Sequence, residues 1–599
     1  MTTTEENPVE VKPDDNVLSA LRGRLATEPT SVALRYRDGS GFVSMTVEQM
    51  MAEVEALGAG LAGAGVDPGD RVVIFSAARL EWALLDYAIW QAGGVTVTIY
   101  ETSSADQVRW ILEDSGASTA IVETAEMRAM VEAARPSLPE LGHVFPIDDG
   151  DLDELRRHGG DVDDAELARR ALAIDQSAPA TLVYTSGTTG RPKGCTLTHR
   201  NLIWTMRQVA VTTPELTGPG NRTLTFLPLA HILARVVQLT AITGGVPVAF
   251  GGGIATLLDD LAEVKPTWLT VVPRVLEKVY EGAAQKAGSG LKRRIFDGAV
   301  NTAKDVQTNR VEGRDQPWLL KARYQVADRL VFGAIREAMG GELTHVISGG
   351  APLRRDLCLF FSGMGVEVLE GYGLTESTGP ATVHRPGAVK PGTVGPPLPG
   401  VDVRIAEGGE IQLAGDLITE GYWHNPEETA KSFDGKWFRT GDIGEIDEDG
   451  HVVITGRMKD LIVTAGGKNV SPGPFETALS SNPLIDHAVV IGDEQRFIAA
   501  LITLDPEGLA VWAEKHERDV SAPDQLVAEL ASDDAVRSEL QAAIDDVNRG
   551  VSHAEQIKSF EVLETSFTVE SGELTPTMKV KRAAVMKNQT SAISHIYQR

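Results

Sequence analysis

The chain has 599 residues, 42% of them hydrophobic and 23% charged, and a formal net charge of −28. Such a length implies roughly two to four domains with ample core, and the acidic balance, with no compensating basic face, excludes a nucleic-acid binder. The two cysteines, Cys195 and Cys358, exclude a disulfide framework and a cysteine-based zinc site.

In chain order, residues 1–16 are acidic and polar, resemble neither a signal nor a transit peptide, and read as a disordered tail. No run reaches the ~18 apolar residues of a membrane span, so the expected location is cytoplasmic. Leu18, Leu21 and Leu25 mark a short amphipathic helix. Segments 32–37 and 42–45 read as a hairpin. Thr46 opens a longer helix, with Gln49 placed for a capping box. Strand and helix patterns then alternate: strand 71–75, helix 78–92, strand 95–100, helix 106–114, strand 118–122. That alternation predicts an α/β fold, a mainly parallel sheet flanked by helices. The acid-dense segment 148–165 reads as a solvated surface loop rather than paired catalytic carboxylates.

An apolar strand, 180–184, leads into TSGTTGRPKG at 185–194. Gly187, Gly190 and Gly194 let the backbone approach a ligand and turn N–H groups toward it. Thr185, Ser186, Thr188 and Thr189 add hydroxyls, and Lys193 adds a positive charge. The mixture suits polyphosphate. It is not the P-loop of kinases and GTPases, because Pro192 stands where that motif has glycine and Gly194 replaces its Ser/Thr. Arg191, Lys193, Arg200 and Arg207 concentrate cations in an acidic chain. Cys195 reads as a small buried residue rather than a nucleophile.

FLPLAHI, 226–232, reads as an apolar strand ending at His231, a residue that in isolation is structural. Segment 277–339 is helical and carries Lys292, Arg293, Arg294, Lys321 and Arg323 beside Leu291, Ile295, Trp318, Leu319 and Leu320. Helices packed on the domain with charges outward are the ordinary reading; contact with a membrane surface is the alternative. A strand at 345–348 runs into SGGAP, whose Gly350, Ala351 and Pro352 can line a flat ligand. EGYGLTES follows, with Glu370, Gly371, Tyr372, Gly373, Thr375 and Glu376. Segments 401–413 and 444–454 read as antiparallel strands turning at Gly408-Gly409 and Asp449-Gly450. The acids around Asp447 fail as a calcium loop, since its twelfth position is Gly456. GRMKD, 456–460, is the expected boundary between domains 17–458 and 459–599, the second a smaller α+β unit.

The phosphate loop, SGGAP, GYGLTES, WFRTGD with GRMKD, and LTPTMKVKR stand in the order of one family. The chain closely resembles the adenylate-forming enzymes: acyl-CoA synthetases, luciferases and peptide-synthetase adenylation domains. The inserted helices, EGYGLTES and LTPTMKVKR look most like long-chain fatty acid–CoA ligases of the bacterial type. The resemblance implies a large N-terminal domain of sheets flanked by helices with a small β-barrel-like subdomain, and a mobile C-terminal domain. It implies a fatty acid, ATP and CoA as substrates, with Mg²⁺. The phosphate loop would hold the β- and γ-phosphates, Glu376 the Mg²⁺, and Thr375 the α-phosphate. Tyr372 and 350–352 would enclose adenine, and Asp442 and Arg457 would bind ribose. Lys579, rather than its neighbour Lys581, would be the adenylation lysine, although Met578 stands where many relatives have glycine. His231 would lie near the substrate carboxylate, Lys459 would be the pivot, and Gly466 and Gly467 would line the CoA channel. The alternatives are a fatty acyl-AMP ligase serving a carrier protein, a luciferase-like oxygenase that uses the adenylate, and a non-catalytic nucleotide-binding regulator.

Overall fold

The computed structural model describes residues 8–39, 41–148, 152–185, 191–465, 468–518, 523–569, 571–575 and 579–598. The chain folds as mixed α/β with a large N-terminal and a smaller C-terminal domain. The expected alternation of strands and helices is present. Among the described residues, seven strands join in the order Gly421–Tyr422, Lys193–Thr198, Pro179–Thr185, Val95–Ile99, Arg71–Phe75, Thr119–Val122, His143–Pro146. Pairing is parallel from Pro179–Thr185 to His143–Pro146, while Lys193–Thr198 and Gly421–Tyr422 are antiparallel. Val-rich strands such as Val95–Ile99 are buried on both faces, as a helix-covered parallel sheet requires.

A second sheet sets Trp268–Val271, His345–Ser348 and Glu367–Leu374 in parallel, with Gly379–Val383 antiparallel at its edge. Gly373 packs so closely on that edge strand that a Cβ would lie 1.7 Å from the Gly379 carbonyl oxygen. Only glycine fits there. A further antiparallel sheet contains Asp402–Ile405, Glu410–Ala414, Phe433–Asp434, Trp437–Ile446 and Val452–Arg457. Its first hairpin turns at Gly408 and Gly409, both at φ 82°. It is the small β subdomain, its pairing an open path among the described residues. The smaller domain centres on Ile485–Ile491, Ile498–Leu504 and Ile557–Val562. Arg274 reaches it from the large domain, 3.1 Å from Asp505.

Local signals hold where their partners are near in sequence. Thr46 and Gln49 form the expected capping box, at 3.2 and 2.9 Å. Three expectations are corrected. Residues 8–16 are not a free tail: the Val9 N–H donates to Gln208 Oε1 at 3.0 Å, and Arg207 bonds Asp15 at 2.6 Å. The acid-rich stretch contains the helices Leu152–His158 and Asp164–Leu172, because Leu155 and Leu167 give it a buried face. Segment 226–232 is not a strand. Pro228, which lacks an N–H for a ladder, opens a turn in which the His231 N–H donates to the Pro228 carbonyl at 3.0 Å.

The inserted segment folds as helices Pro273–Ala287, Leu291–Val311, Trp318–Ala327 and Gly333–Ala338, with a π-helical turn at Asp328–Phe332. Leu291–Val311 packs against Arg355–Gly363 so tightly that a Cβ on Gly363 would lie 2.0 Å from the Ala303 carbonyl oxygen. No helix among the described residues is long and apolar enough to cross a membrane.

Candidate active site

Two of the sequence-marked segments leave the carboxyl ends of strands, where ligands of open α/β sheets bind, and a third lies on a strand beside them. Pro179–Thr185 feeds the phosphate loop, His345–Ser348 feeds Gly350 to Pro352, and Glu367–Leu374 carries Glu370 to Gly373. All three border one cleft of about 4100 Å³, which also takes in Lys193, His231, Thr375, Glu376, Asp442, Arg457, Lys459 and Lys579. Ser186, Gly187, Thr188, Thr189 and Gly190, and likewise Gly466 and Gly467, lie outside the described residues. The flanks of the phosphate loop are described: Thr185 pairs with Lys193, and the Trp110 indole N–H donates to the Pro192 carbonyl at 2.8 Å.

Asp442 is 3% exposed and held from two sides. The Tyr372 hydroxyl donates to Oδ2 at 2.8 Å, and Arg457 Nε lies 2.9 Å from Oδ1. The carboxylate keeps lone pairs for two hydroxyls of a ligand. Glu370 is buried beneath the SGGAP loop, and burial pushes its carboxyl up to about 8. Its backbone N–H donates to His384 Nδ1 at 3.1 Å.

His231 caps the helix Ile232–Thr243, its Nδ1 accepting from the Leu233 N–H at 3.2 Å. Burial, and secondarily the charge of Lys579, push it down to about 4, so the imidazole is neutral at pH 7. The helix is anchored one turn on by Arg235, fully buried beside Asp86, with Nε 2.8 Å from Oδ2. Arg235 also donates to Thr181 Oγ1 at 2.6 Å, tying the His231 helix to the strand that feeds the phosphate loop.

Lys579 enters the cleft from the C-terminal domain, its N–H bonded to Thr575 Oγ1 at 3.0 Å. Its surface is open to the cleft, while protein crowds it from both domains. That crowding, and then Arg457, push its ammonium down to about 8 against the opposing pull of Asp442. Lys459 is exposed in the turn Met458–Asp460.

Two site residues escaped the sequence reading. The Tyr422 hydroxyl donates to Glu376 Oε1 at 2.7 Å, and Glu428 pairs with Lys193. Both belong to GYWHNPEET, whose only local signal was the Asn-Pro turn. As for a metal, no group of three or more His, Cys, Asp or Glu among the described residues is arranged to hold one. The single carboxylate of Glu376 fits a magnesium ion shared with phosphate oxygens.

A model of the AMP-binding enzyme family matches residues 21–423, and one of the AMP-binding enzyme C-terminal domain matches 459–599. The chain belongs to the AMP-binding enzymes. Among members of this family, the long-chain-fatty-acid–CoA ligase FadD15 of Mycobacterium tuberculosis is 44% identical over 593 residues, 98% of each chain. The long-chain-fatty-acid–CoA ligase ACSBG2 of Xenopus laevis is 32% identical over 95% of this chain and 82% of its own. Among solved structures, the adenylation domain of a Mycobacterium chelonae carboxylate reductase superposes with a TM-score of 0.74 at 22% identity, covering 98% of this chain and 92% of that one. The anthranilate CoA ligase AuaEII with anthranoyl-AMP gives 0.71 at 20% identity, over 98% and 99%. At such identities the superpositions speak for the AMP-binding fold.

Proposed function

We propose that this protein is an AMP-forming long-chain fatty acid–CoA ligase. A fatty carboxylate attacks the α-phosphorus of ATP and expels pyrophosphate; the CoA thiol then attacks the acyl-AMP carbonyl, giving the thioester and AMP. The observation that carries the reading is the meeting of Lys579 with Asp442, Arg457 and His231 in a cleft whose lining also includes the apolar side chains of Val209, Leu216, Ile232, Leu233 and Val237. Those apolar side chains suit an acyl chain, and the charged groups suit the anionic head and nucleotide.

In this reading Thr185, the 186–190 loop and Lys193 hold the β- and γ-phosphates, and Thr375 bonds the α-phosphate. Glu376, oriented by Tyr422, supplies the carboxylate for Mg²⁺, which when bound screens phosphate charge. Tyr372 and 350–352 enclose adenine, with Glu370 and Gly371 beneath, and Asp442 and Arg457 take the ribose. Lys579 stabilises the charge that develops on the transferring phosphate. His231, neutral and with Nδ1 already accepting from the Leu233 N–H, keeps Nε2–H to donate a hydrogen bond to the substrate carboxylate without adding charge beside it. The C-terminal domain, 459–599, pivots at Lys459 between half-reactions, and Gly466 and Gly467 then face the pantetheine arm.

Acid-dependent ATP–pyrophosphate exchange, measured with fatty acids from short to very long, tests the first half-reaction. Thioester formation with free CoA separates this enzyme from a fatty acyl-AMP ligase. Absence of exchange with every acid would leave a nucleotide-binding regulator.

We also propose peripheral contact with an anionic lipid surface through 277–339. Leu291 and Trp318 are each 74% exposed, and 286–336 holds eleven Lys and Arg against five Asp and Glu in a chain of net charge −28. Liposome flotation that survives neutralising Lys292, Arg293 and Arg294 together would refute it.

A further inference from the structure

Glu428 stands on the short helix Pro426–Ser432, and its carboxylate pairs with the Lys193 ammonium. Both partners are fixed to one piece of sheet. Gly421–Tyr422 pairs with Thr196 and Cys195, two to three residues past Lys193. The Trp423 N–H donates to the Gly194 carbonyl at 2.7 Å, and the Tyr422 N–H to Thr429 Oγ1 at 2.9 Å. Asn425 caps the helix by accepting from the Glu428 N–H at 3.1 Å. The Lys193 Nζ also lies 5.6 Å from the Tyr422 ring centroid. The helix cannot swing away from the phosphate loop without breaking these bonds.

We propose that Glu428 is a built-in competitor of the triphosphate at Lys193, setting nucleotide affinity and easing pyrophosphate release. The inference rests on reading Lys193 as a phosphate-holding residue. A lysine ammonium is a compact charge with three donors. A phosphoryl group that reaches it must displace a like-charged carboxylate already there. Displaced, that carboxylate has nearby cations to turn to, because Lys431 and Lys459 also act on it. When pyrophosphate departs, Glu428 returns to Lys193, so the product leaves against a smaller loss of paired charge. The device trades ATP affinity for faster release. Lys193, first, and then Lys431 and Lys459 hold the Glu428 carboxyl below the usual carboxylate range, so the competitor stays ionised across working pH.

The test uses the full-length enzyme with Glu428→Gln and Glu428→Ala. The pair is partly exposed, so the expected change is modest: a KM for ATP about two- to five-fold lower in exchange assays, and inhibition by added pyrophosphate at about two- to five-fold lower concentration. A general structural defect would not tighten both ligands. The KM ratio of variant to wild type should be flat from about pH 6 to 8, since a carboxylate held below its ordinary value of about 4.3 does not titrate there. A KM for ATP that rises, or that stays unchanged in both variants, overturns the proposal, as does a ratio that collapses within that pH window. Wild-type enzyme with no acid-dependent exchange refutes the underlying reading instead.

Discussion

Arg457 and Asp442 face each other across an antiparallel strand pair, Nε 2.9 Å from Oδ1, and they act on Lys579 with opposite signs. Burial and Arg457 lower the lysine's pKa to about 8, and Asp442 raises it. Desolvation is the larger cause, and the pair adjusts the protonation of a lysine from the other domain in opposite directions.

The adenylation half-reaction should need the Lys579 ammonium. Exchange is then level below pH ~8 and falls as pH rises through that value, as Lys579 loses its proton. Lys579→Ala should lower exchange by about 10²–10³-fold, the cost of deleting one donor aimed at developing charge. Lys579→Arg should remove the alkaline fall at a reduced plateau. A pH profile unchanged in the arginine variant would contradict the assignment.

Asp442→Asn should do two things at once. It removes a charged acceptor for a ribose hydroxyl, so kcat/KM for ATP should fall by about 10–100-fold. It also removes the charge that supports the Lys579 ammonium, so the alkaline fall should move below pH ~8; Arg457→Ala should move it above. Opposite displacements in the two variants are the decisive readout, and displacements of the same sign would dissociate Lys579 from this pair.

The alternation of strands and helices, the Thr46 capping box and the glycine turn at 408–409 were legible because each depends on neighbours in sequence, whereas the strand order, which sets Pro179–Thr185 beside Val95–Ile99, does not. That Lys193, Glu376, Asp442 and Lys579 border one cleft was legible because each lies in a motif that carried its own chemistry. Glu428 was not: it looks like any charged residue on an exposed helix, and its partner is 235 positions away. The seat of residues 8–16 was hidden for the same reason, since Val9 bonds a residue 199 positions on. Pro228 did carry a signal, and the apolar run around it masked that signal.

Stability should fall with acid well above the carboxylate range. His199 and His384 are buried and pushed down to about 3, and His231 to about 4. The unfolded chain binds protons at these positions below pH ~6.5, while the folded chain does not. Their contribution is present above pH ~6.5 and is lost as pH falls, down to about 4 for His231 and about 3 for His199 and His384, at roughly 1.4 kcal/mol per pH unit each. Glu370 opposes them. Raised to about 8, it keeps in the folded state a proton that the unfolded chain releases above pH ~4.3, so its contribution is present at low pH and lost as pH rises. Melting temperature measured between pH 5 and 6 should drop with acid, and Glu370→Gln should steepen that drop. An unchanged drop in the variant would show that Glu370 is ionised when folded.

Arg235 and Asp86 are both fully buried, beneath Trp82 and Trp90, whose ring centroids each lie 5.4 Å from the Arg235 guanidinium carbon. Arg235→Met should lower stability by about 3–5 kcal/mol, because it leaves a buried carboxylate without its partner. The double variant Arg235→Met with Asp86→Leu should recover much of that loss, since no buried charge then remains. Activity should not follow stability. Arg235 also fixes Thr181 on the strand that feeds the phosphate loop, so the double variant should keep a weakened exchange activity even where its urea midpoint is restored. Full recovery of exchange along with stability would mean that the His231 helix is placed by packing alone.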